Sequence, residues 1–287
     1  MKIKLFTTKW SLLLAMFFSV LFFAQNEKSL LWKISGNGLE KPSYIFGTIH
    51  MICEEDYVMN ATIQNALKST DAYFAELDFT NVEDMAKMQS QIMSSTPLSK
   101  RLSADEYSKL KDLLKETVKL DIAQFENMSD MGIVSMVTLK SFPCEKQKMY
   151  EMELLTLALA EKKKPGGIET FDEQMKVLSS SFTMETLLGM LEDLKKQGFK
   201  GTQEMVDIYK SQNIDQLIEF MGKASYMDDK VYKTILKDRN TSWFTRMPEQ
   251  MKKQSTFFAV GAAHLGGKDG VITHFKKIGY KVEPVKF

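Results

Sequence analysis

The sequence predicts an α/β (α+β) fold in which strands from both ends of the chain form one central sheet. Strand-like apolar runs cluster near the two ends, and a long stretch with helical periodicity lies between them. The two ends also share a motif. "YIFGTIHM" places His50 three residues after Gly47, and "FFAVGAAHLGG" places His264 three residues after Gly261.

The N-terminal segment "MKIKLFTTKWSLLLAMFFSVLFFAQ" has the features of an export signal. Lysines precede an uncharged run from Trp10 to Ala24, which is short for a membrane span and typical of a signal-peptide core. We predict that residues 1–24 are a signal peptide and that the protein is exported, either periplasmic or secreted. Phe22 is bulky for a position three residues before the cleaved bond. An uncleaved anchor that keeps the protein near a membrane therefore stays an alternative.

Composition indicates one globular domain over residues 25–287, with a helical insert at about 81–253. Hydrophobic residues make up 44% of the chain and charged residues 26%, as expected for a protein with a real core. Loss of the leader removes three of the 38 basic residues and none of the 37 acidic ones, so the mature chain is slightly acidic. With no basic block, the sequence does not indicate a nucleic-acid partner.

The chain contains two cysteines, Cys53 and Cys144. In an exported protein a thiol pair usually oxidises, so we predict a disulfide between them. The alternative is that Cys53 is a metal ligand, because it follows His50 by three residues.

The N-terminal part is predicted to contain three strands and a helix. "SLLWKISG" and "PSYIFGTIH" have strand character and are joined by the hairpin signal Gly36-Asn37-Gly38. A helix is expected at about residues 58–69. "DAYFAELDF" then predicts a third strand.

The middle of the chain is predicted to be mainly helical. "SADEYSKLKDLLKETVKL" opens with Ser103 and Glu106 at capping-box spacing, and "MYEMELLTLALAEKKK" is a further helix. "KPGGIETFDEQMKVL" predicts a very short strand followed by a helix, and residues 184–253 are again helical. "STFFAVGAAHLGG", "KDGVITHFKKIGY" and "KVEPV" then predict strand, loop, helix and strand.

The paired Gly-x-x-His motifs predict a functional site at the carboxyl ends of strands. Ligands of open α/β sheets collect at that edge, and a glycine there permits a tight or positive-φ turn and close backbone approach. If both strands lie in one sheet, His50 and His264 converge, and neutral imidazoles are common metal ligands. The remaining histidine, His274 in "GVITHFKKIG", is expected on a helix surface away from the site.

Three further residues are candidates for this site. Glu76 lies at the end of the apolar strand in "AYFAELD", where a buried carboxylate is costly without a partner. It is a candidate third ligand or general base, and the alternative is a partly exposed acid at a strand end. Glu169 in "GGIETF" ends a short strand, and its alternative role is a charge at a helix N-terminus. Arg239 in "LKDRNTSWF" is placed to stabilise an oxyanion or hold a carboxylate, unless it forms an ordinary salt bridge.

The segments "LLWKISGNG", "SYIFGTIHM", "GGIETFDEQ", "RNTSWF" and "FFAVGAAHLGG" occur in an order that resembles the TraB/GumN family, related to the Tiki proteins. The resemblance runs from about residue 30 to residue 285. It implies a fold akin to erythromycin-esterase-like and ChaN-like proteins and, from the Tiki members, metal-dependent proteolysis. By motif, His50 and His264 match the paired histidines, and Glu76 matches the acid on the next strand. Glu169 and Arg239 match the recurrent "ET" and "RN" elements, although "DRN" stands where Glu-Arg-Asn is expected.

The leading interpretation is an exported metal-dependent hydrolase, peptidase- or amidase-like, acting on a peptide or small-molecule substrate. His50, His264 and Glu76 would bind a divalent ion of the Mn, Co or Zn type, and Glu76, Arg239 and Glu169 would act in catalysis. One alternative is a non-catalytic metal- or haem-binding protein, as the ChaN-like relationship implies. Another is a metal-free, esterase-like hydrolase that uses histidine and glutamate as acid and base.

Overall fold

Both ends of the chain contribute strands to one mixed sheet. The computed structural model describes residues 28–287, so the predicted signal peptide lies outside the described residues. The six strands are β1 (Leu31–Ser35), β2 (Ser43–Thr48), β4 (Ala72–Ala75), β6 (Lys164–Gly167), β7 (Thr256–Gly261) and β8 (Lys281–Val285). Their order is β6-β4-β7-β2-β1-β8, and a separate pair consists of β3 (Ile52–Cys53) and β5 (Gln147–Lys148). The predicted α/β fold class is thus confirmed.

Most of the helices lie between β4 and β7 in the chain. In chain order they are α1 (Ala61–Lys68), α2 (Val82–Gln91), α3 (Leu98–Arg101), α4 (Ala104–Thr117), α5 (Asp130–Lys140), α6 (Tyr150–Ala160), α7 (Phe171–Ser181), α8 (Met184–Gln197), α9 (Lys200–Lys210), α10 (Ile214–Met221), α11 (Asp229–Tyr232), α12 (Asp238–Lys253) and α13 (Val271–Lys277). A π-helical turn, Lys233–Lys237, leads directly into α12. Across residues 28–287, no helix is both long and apolar enough to cross a membrane.

Local signals in the sequence explain several of these boundaries. The turn between β1 and β2 has positive φ at Gly36, Asn37 and Gly38, the conformation that these residue types tolerate best. Helix α4 begins with the predicted capping box, in which Ser103 and Glu106 satisfy each other's backbone N–H groups.

Four neighbouring strands, β6, β4, β7 and β2, run parallel, so their carboxyl ends meet at one edge of the sheet. Thr48 at the end of β2 lies beside Gly261 at the end of β7. Ala75 at the end of β4 lies beside Ala259 on one side and Gly167 on the other. β1 pairs antiparallel with both β2 and β8, away from this edge.

Two apolar clusters stabilise the described chain. The larger one covers the sheet and includes Phe46, Phe257, Phe258 and Trp243. The second lies within the helical region, among α3 to α5 and α8, and is built on side chains such as Leu110. Burial of many such side chains, each worth roughly 1.5–3 kcal/mol, is the main stabilising contribution.

The two cysteines form a disulfide, as predicted. Cys53 and Cys144 are bonded to each other, next to the pairing of β3 with β5. The alternative role of Cys53 as a metal ligand does not hold in this structure, because a metal binds the thiolate and the sulfur of Cys53 is oxidised.

Candidate functional site

The carboxyl edge of the parallel strands brings the sequence-predicted residues together. His50 follows β2 by two residues, and His264 ends a single 3-10 turn, Ala262–His264, after β7. Glu76 comes directly after β4, which is shorter than the sequence predicted, and Glu169 follows β6 by two residues. The fifth residue, Arg239, reaches the same edge from the first turn of α12.

The two motifs meet at Gly261. Its backbone N–H donates to Oε1 of Glu76 at 2.8 Å. A Cβ atom on this glycine would stand 3.4 Å from Glu76 Oε1, 3.5 Å from His264 Cδ2 and 3.8 Å from His50 Nε2. Both motif histidines and Glu76 therefore surround one point, although His50 and His264 are far apart in the sequence.

Gly47, the glycine of the first motif, allows the two motifs to approach each other. A Cβ on it would lie 2.7 Å from Leu265 Cδ1 and 3.0 Å from the Cα of Ala262. Of the two roles that the sequence offered for the motif glycines, close backbone approach is the one observed. Gly261 has a φ of −52°, and Gly47 is not among the described residues with positive φ.

Arg239 links the acidic residues to His264. Its Nη2 donates to Glu76 Oε2 at 2.5 Å and to Glu169 Oε2 at 2.9 Å, and its Nε donates to Glu169 Oε1 at 3.0 Å. Its Nη1 lies 3.2 Å from Nε2 of His264. Only 8% of Arg239 is exposed, so these are buried, charge-assisted hydrogen bonds.

The electrostatics of Glu76 follow from this contact. Burial alone raises the pKa of the Glu76 carboxyl, but the Arg239 guanidinium, the two histidines and the Gly261 N–H together hold it well below its usual range. Gln174 Nε2 adds a further hydrogen bond to Oε2 at 3.2 Å. Glu76 is therefore ionised at neutral pH and is a weak base.

Asn240 determines the tautomer of His264. The Nδ2 of Asn240 donates to the backbone carbonyls of His264 and Asp269, so its Oδ1 is the acceptor for His264 Nδ1 at 2.7 Å. Nδ1 thus carries the proton, and the lone pair of Nε2 accepts from Nη1 of Arg239. Burial lowers the pKa of His264 to about 3, which keeps the ring neutral. The indole of Trp243 packs beside it, with ring centroids 4.3 Å apart.

His50 is also held at Nδ1, by the carboxylate of Glu151 rather than by an amide. Its Nδ1 lies 2.9 Å from Oε1 of Glu151, which also accepts from the Thr48 hydroxyl at 2.7 Å. The nearby Glu151 carboxylate raises the pKa of His50 to about 9. The His50 side chain is 65% exposed, so it forms the solvent-facing side of the site.

The donor set fits a divalent metal in its chemistry. Two imidazoles and a carboxylate are common ligands of such ions, and in both rings Nδ1 is held by an acceptor while Nε2 is on the side of the site. An ion would have to displace the Nε2 proton of His50 and the Arg239 contact of His264. Within residues 28–287, however, no three His, Cys, Asp or Glu side chains are grouped closely enough to hold an ion. Arg239 instead occupies two of the atoms that an ion would use, Glu76 Oε2 and His264 Nε2.

Sequence reasoning missed Glu151 and Trp243 and did not assign a role to Asn240. A signal for Glu151 was present, since it lies three and four residues before Leu154 and Leu155 on the buried face of α6. Trp243 lies one helical turn after Arg239 and donates from Nε1 to Glu169 Oε1 at 2.7 Å. His274 is outside the site, stacked on Phe244 with ring centroids 3.6 Å apart.

Comparison with known proteins agrees with the resemblance noted in the sequence. The model of the TraB/PrgY/gumN family matches residues 30–284. A curated relative, "Metalloprotease TIKI2" from Danio rerio, is 22% identical over 318 residues, covering 90% of this chain and 61% of the relative. The chain thus spans about three-fifths of the length of that protein. No solved structure matches.

Proposed function

Because this chain belongs to the TraB/PrgY/gumN family, we propose that it is an exported metal-dependent hydrolase that acts on peptide or amide bonds. The observation that carries the proposal is the convergence of His50 Nε2, His264 and Glu76 around Gly261. The distant similarity to a metalloprotease supports the reaction class. The substrate class is inferred from that similarity and from the donor set.

In this proposal His50 and His264 hold a divalent ion of the Mn, Co or Zn type through Nε2, and Glu76 is the third ligand. When bound, such an ion acts as a Lewis acid on a carbonyl and lowers the pKa of water. Glu76 suits the role of ligand better than that of general base, because its pKa is held so low. Arg239 and Glu169 keep Glu76 ionised and in place, since the guanidinium bridges the two carboxylates.

Elemental analysis of purified protein tests the proposal. We expect about one equivalent of a transition metal in the wild type and a strong reduction in both His50→Ala and His264→Ala. His274→Ala is the matched control, because His274 contacts Phe244 outside the site, and its metal content should equal that of the wild type. Equal metal content in all four proteins, or none in any after incubation with Zn²⁺, Mn²⁺ and Co²⁺, would contradict a metal site here.

A second candidate function is a metal-free hydrolase that uses the same histidines as acid and base. The observation that favours it is Arg239, which lies on the Glu76 and His264 atoms that a metal would need. His50 would act as the acid, since Glu151 raises its pKa to about 9. Peptidase activity that survives exhaustive chelation would select this candidate. Activity lost on chelation and restored by one metal would select the first.

We propose export on two grounds. The leader-like residues 1–24 precede the described chain, and the disulfide between Cys53 and Cys144 is the kind of bond that persists in an oxidising compartment. If the leader is removed, the intact mass of the mature protein should correspond to a chain that begins near Gln25. A full-length chain recovered from membranes would instead support the anchor alternative.

A further inference from the structure

We infer that Glu151 is a positioning residue of this site: its carboxylate holds the Nδ1 edge of His50 and so aims Nε2 toward Gly261. The inference rests on the proposed function in one respect, that the space around Gly261 is where ligand or substrate binds. Glu151 itself does not face that space. It acts through His50.

Glu151 is a charged side chain in a buried place. Only 4% of it is exposed, and it lies in the first turn of α6 beside the buried Tyr150, Leu154 and Leu155. A carboxylate in such a position is costly unless hydrogen bonds compensate. Oε1 of Glu151 accepts from the Thr48 hydroxyl at 2.7 Å and faces His50 Nδ1 at 2.9 Å. The helix N-terminus also favours a negative charge there.

The contact with His50 does more for orientation than for packing. The imidazole is 65% exposed, so it buries little apolar surface and would otherwise be free to change rotamer. The imidazole is a rigid planar ring whose two nitrogens, both bonded to Cε1, point outward in fixed and different directions, so a bond that holds Nδ1 also limits where Nε2 points. The observed Nε2 position is 3.8 Å from a Cβ placed on Gly261.

The second histidine provides an independent parallel. Asn240 Oδ1 accepts from His264 Nδ1 at 2.7 Å, and Nε2 faces Arg239 and Glu76. Each motif histidine is thus tied at Nδ1 to a buried acceptor in the first turn of a helix, Glu151 in α6 and Asn240 in α12. Outer partners of this kind fix both the tautomer and the ring direction.

Glu151 is itself held in place from two sides. The Tyr73 hydroxyl donates to its backbone carbonyl at 3.2 Å. The residues that follow His50 pair with those that precede Glu151, Ile52 with Lys148 and Cys53 with Gln147. The histidine and its acceptor therefore share one rigid frame, which a positioning role requires.

The test combines NMR of the metal-free protein with Zn²⁺ titration. Long-range ¹H–¹⁵N spectra of the imidazoles, with His50 assigned by loss of its signals in His50→Ala, report whether Nδ1–H is hydrogen-bonded. We expect Glu151→Ala to shift the His50 Nδ1 signal, to leave His264 unchanged and to weaken Zn²⁺ binding about 10–100-fold. Glu151→Gln keeps an acceptor, so it should shift Nδ1 less and weaken binding less.

The matched control is Glu153→Gln, which removes an acid from the same helical turn. Glu153 forms a surface ion pair with Lys148, so its loss should leave the His50 spectrum and Zn²⁺ affinity unchanged. If Glu151→Ala does not fold, Glu151→Gln carries the test, since loss of the charge must still move the Nδ1 resonance. A folded Glu151 variant with an unaltered His50 Nδ1 signal overturns the inference. Failure of the wild type to bind Zn²⁺ counts against the proposed function and leaves the NMR result to decide the role of Glu151.

Discussion

At the scale of single residues, Gly261 is the position where the candidate site is easiest to block without harm to the fold. Alanine is compatible with its φ of −52°, and the added Cβ would make only ordinary contacts, at 3.4 to 3.8 Å, with Glu76, His264 and His50. Gly261→Ala should therefore fill the space between these side chains. We expect Zn²⁺ affinity to fall at least tenfold while the melting temperature changes little.

Gly222→Ala is the control for this variant. Its Cβ would also meet only ordinary contacts, at 3.5 and 3.7 Å from carbonyl oxygens, and its φ of −67° suits alanine. Gly222 directly follows α10, and its Cβ would meet only backbone oxygens of that helix and no residue of the site, so metal affinity should not change. If Gly261→Ala bound Zn²⁺ as tightly as the wild type, ligands would not converge at this point.

Arg239 is expected to contribute strongly to stability. It neutralises two buried carboxylates, and its removal would leave Glu76 and Glu169 as neighbouring charges without a partner. Breaking a buried pair in this way costs about 3–5 kcal/mol. We predict a loss of that order for Arg239→Leu in urea unfolding. Arg246 lies on the same helix as Arg239 and forms an exposed pair with Glu173 of α7. Arg246→Leu, which breaks that pair, should cost under about 1 kcal/mol.

The sequence alone was sufficient to identify the polar residues that stand at the ends of apolar strands. His50, His264 and Glu76 are polar groups at the ends of apolar strands, and such a placement is visible without a structure. The contacts of Arg239 were not visible, because "RN" in a helix says nothing about which strand ends it faces. Its partners Glu76 and Glu169 follow two strands, β4 and β6, that pair only in the folded chain.

At the scale of elements, the sequence pattern predicts that a strand is present but not where it ends. "DAYFAELDF" has strand character throughout, yet β4 ends at Ala75. Its neighbour β6 ends at Gly167, and Ala75 is the last residue of β4 to pair with β7. The end of β4 is thus set by its pairing with β6 and β7, two segments that are distant in the sequence. The capping box at Ser103 involves four consecutive residues and was predicted correctly.

Helix α7 provides a pH prediction. Hydrogen bonds from Arg246, followed by the Thr170 N–H of the capping box, lower the pKa of Glu173 to about 2. The folded-state pKa lies below the unfolded value, so the contribution to stability is present above about pH 4.5 and is lost as the pH falls through 2. Glu173→Gln should be less stable than the wild type at pH 7. The deficit should be under about 1 kcal/mol, because the side chain is 45% exposed.

Urea unfolding of both proteins at pH 7, 4 and 2.5 measures this dependence. The difference in the free energy of unfolding should shrink as the pH falls. A difference that stays constant over this range would mean that the Glu173 charge is not the source of the stabilisation. The neutral capping contact with Thr170 would then be the better explanation.

At the scale of the whole molecule, the sequence predicted the composition of the sheet but not its order. That both chain ends supply strands follows from where apolar runs occur. That β7 lies between β4 and β2 depends on packing, because the large buried side chains Phe257 and Phe258 need cover on both faces of the sheet. This central position of β7 brings Gly261 and His264 between Glu76 and His50.

The disulfide links this sheet edge to the helical region. Cys53 lies three residues after His50, and its partner Cys144 lies 91 residues further along the chain, shortly before Glu151. In the chain-entropy model a loop of this size stabilises the fold by about 4–5 kcal/mol. We predict a clearly lower melting temperature for the double variant Cys53→Ser/Cys144→Ser.

The same double variant should increase the mobility of the segments that hold His50 more than that of the segments that hold His264. The pairing of β3 with β5 holds the segment after His50 against the segment before Glu151, and the disulfide reinforces it. His264 is held instead by α12 through Asn240. Hydrogen exchange should therefore accelerate in residues 49–56 and 142–150 of the double variant and stay near wild-type rates in residues 259–265. Equal acceleration in both regions would show that the disulfide stabilises the fold globally, without a particular role in holding His50 beside Glu151.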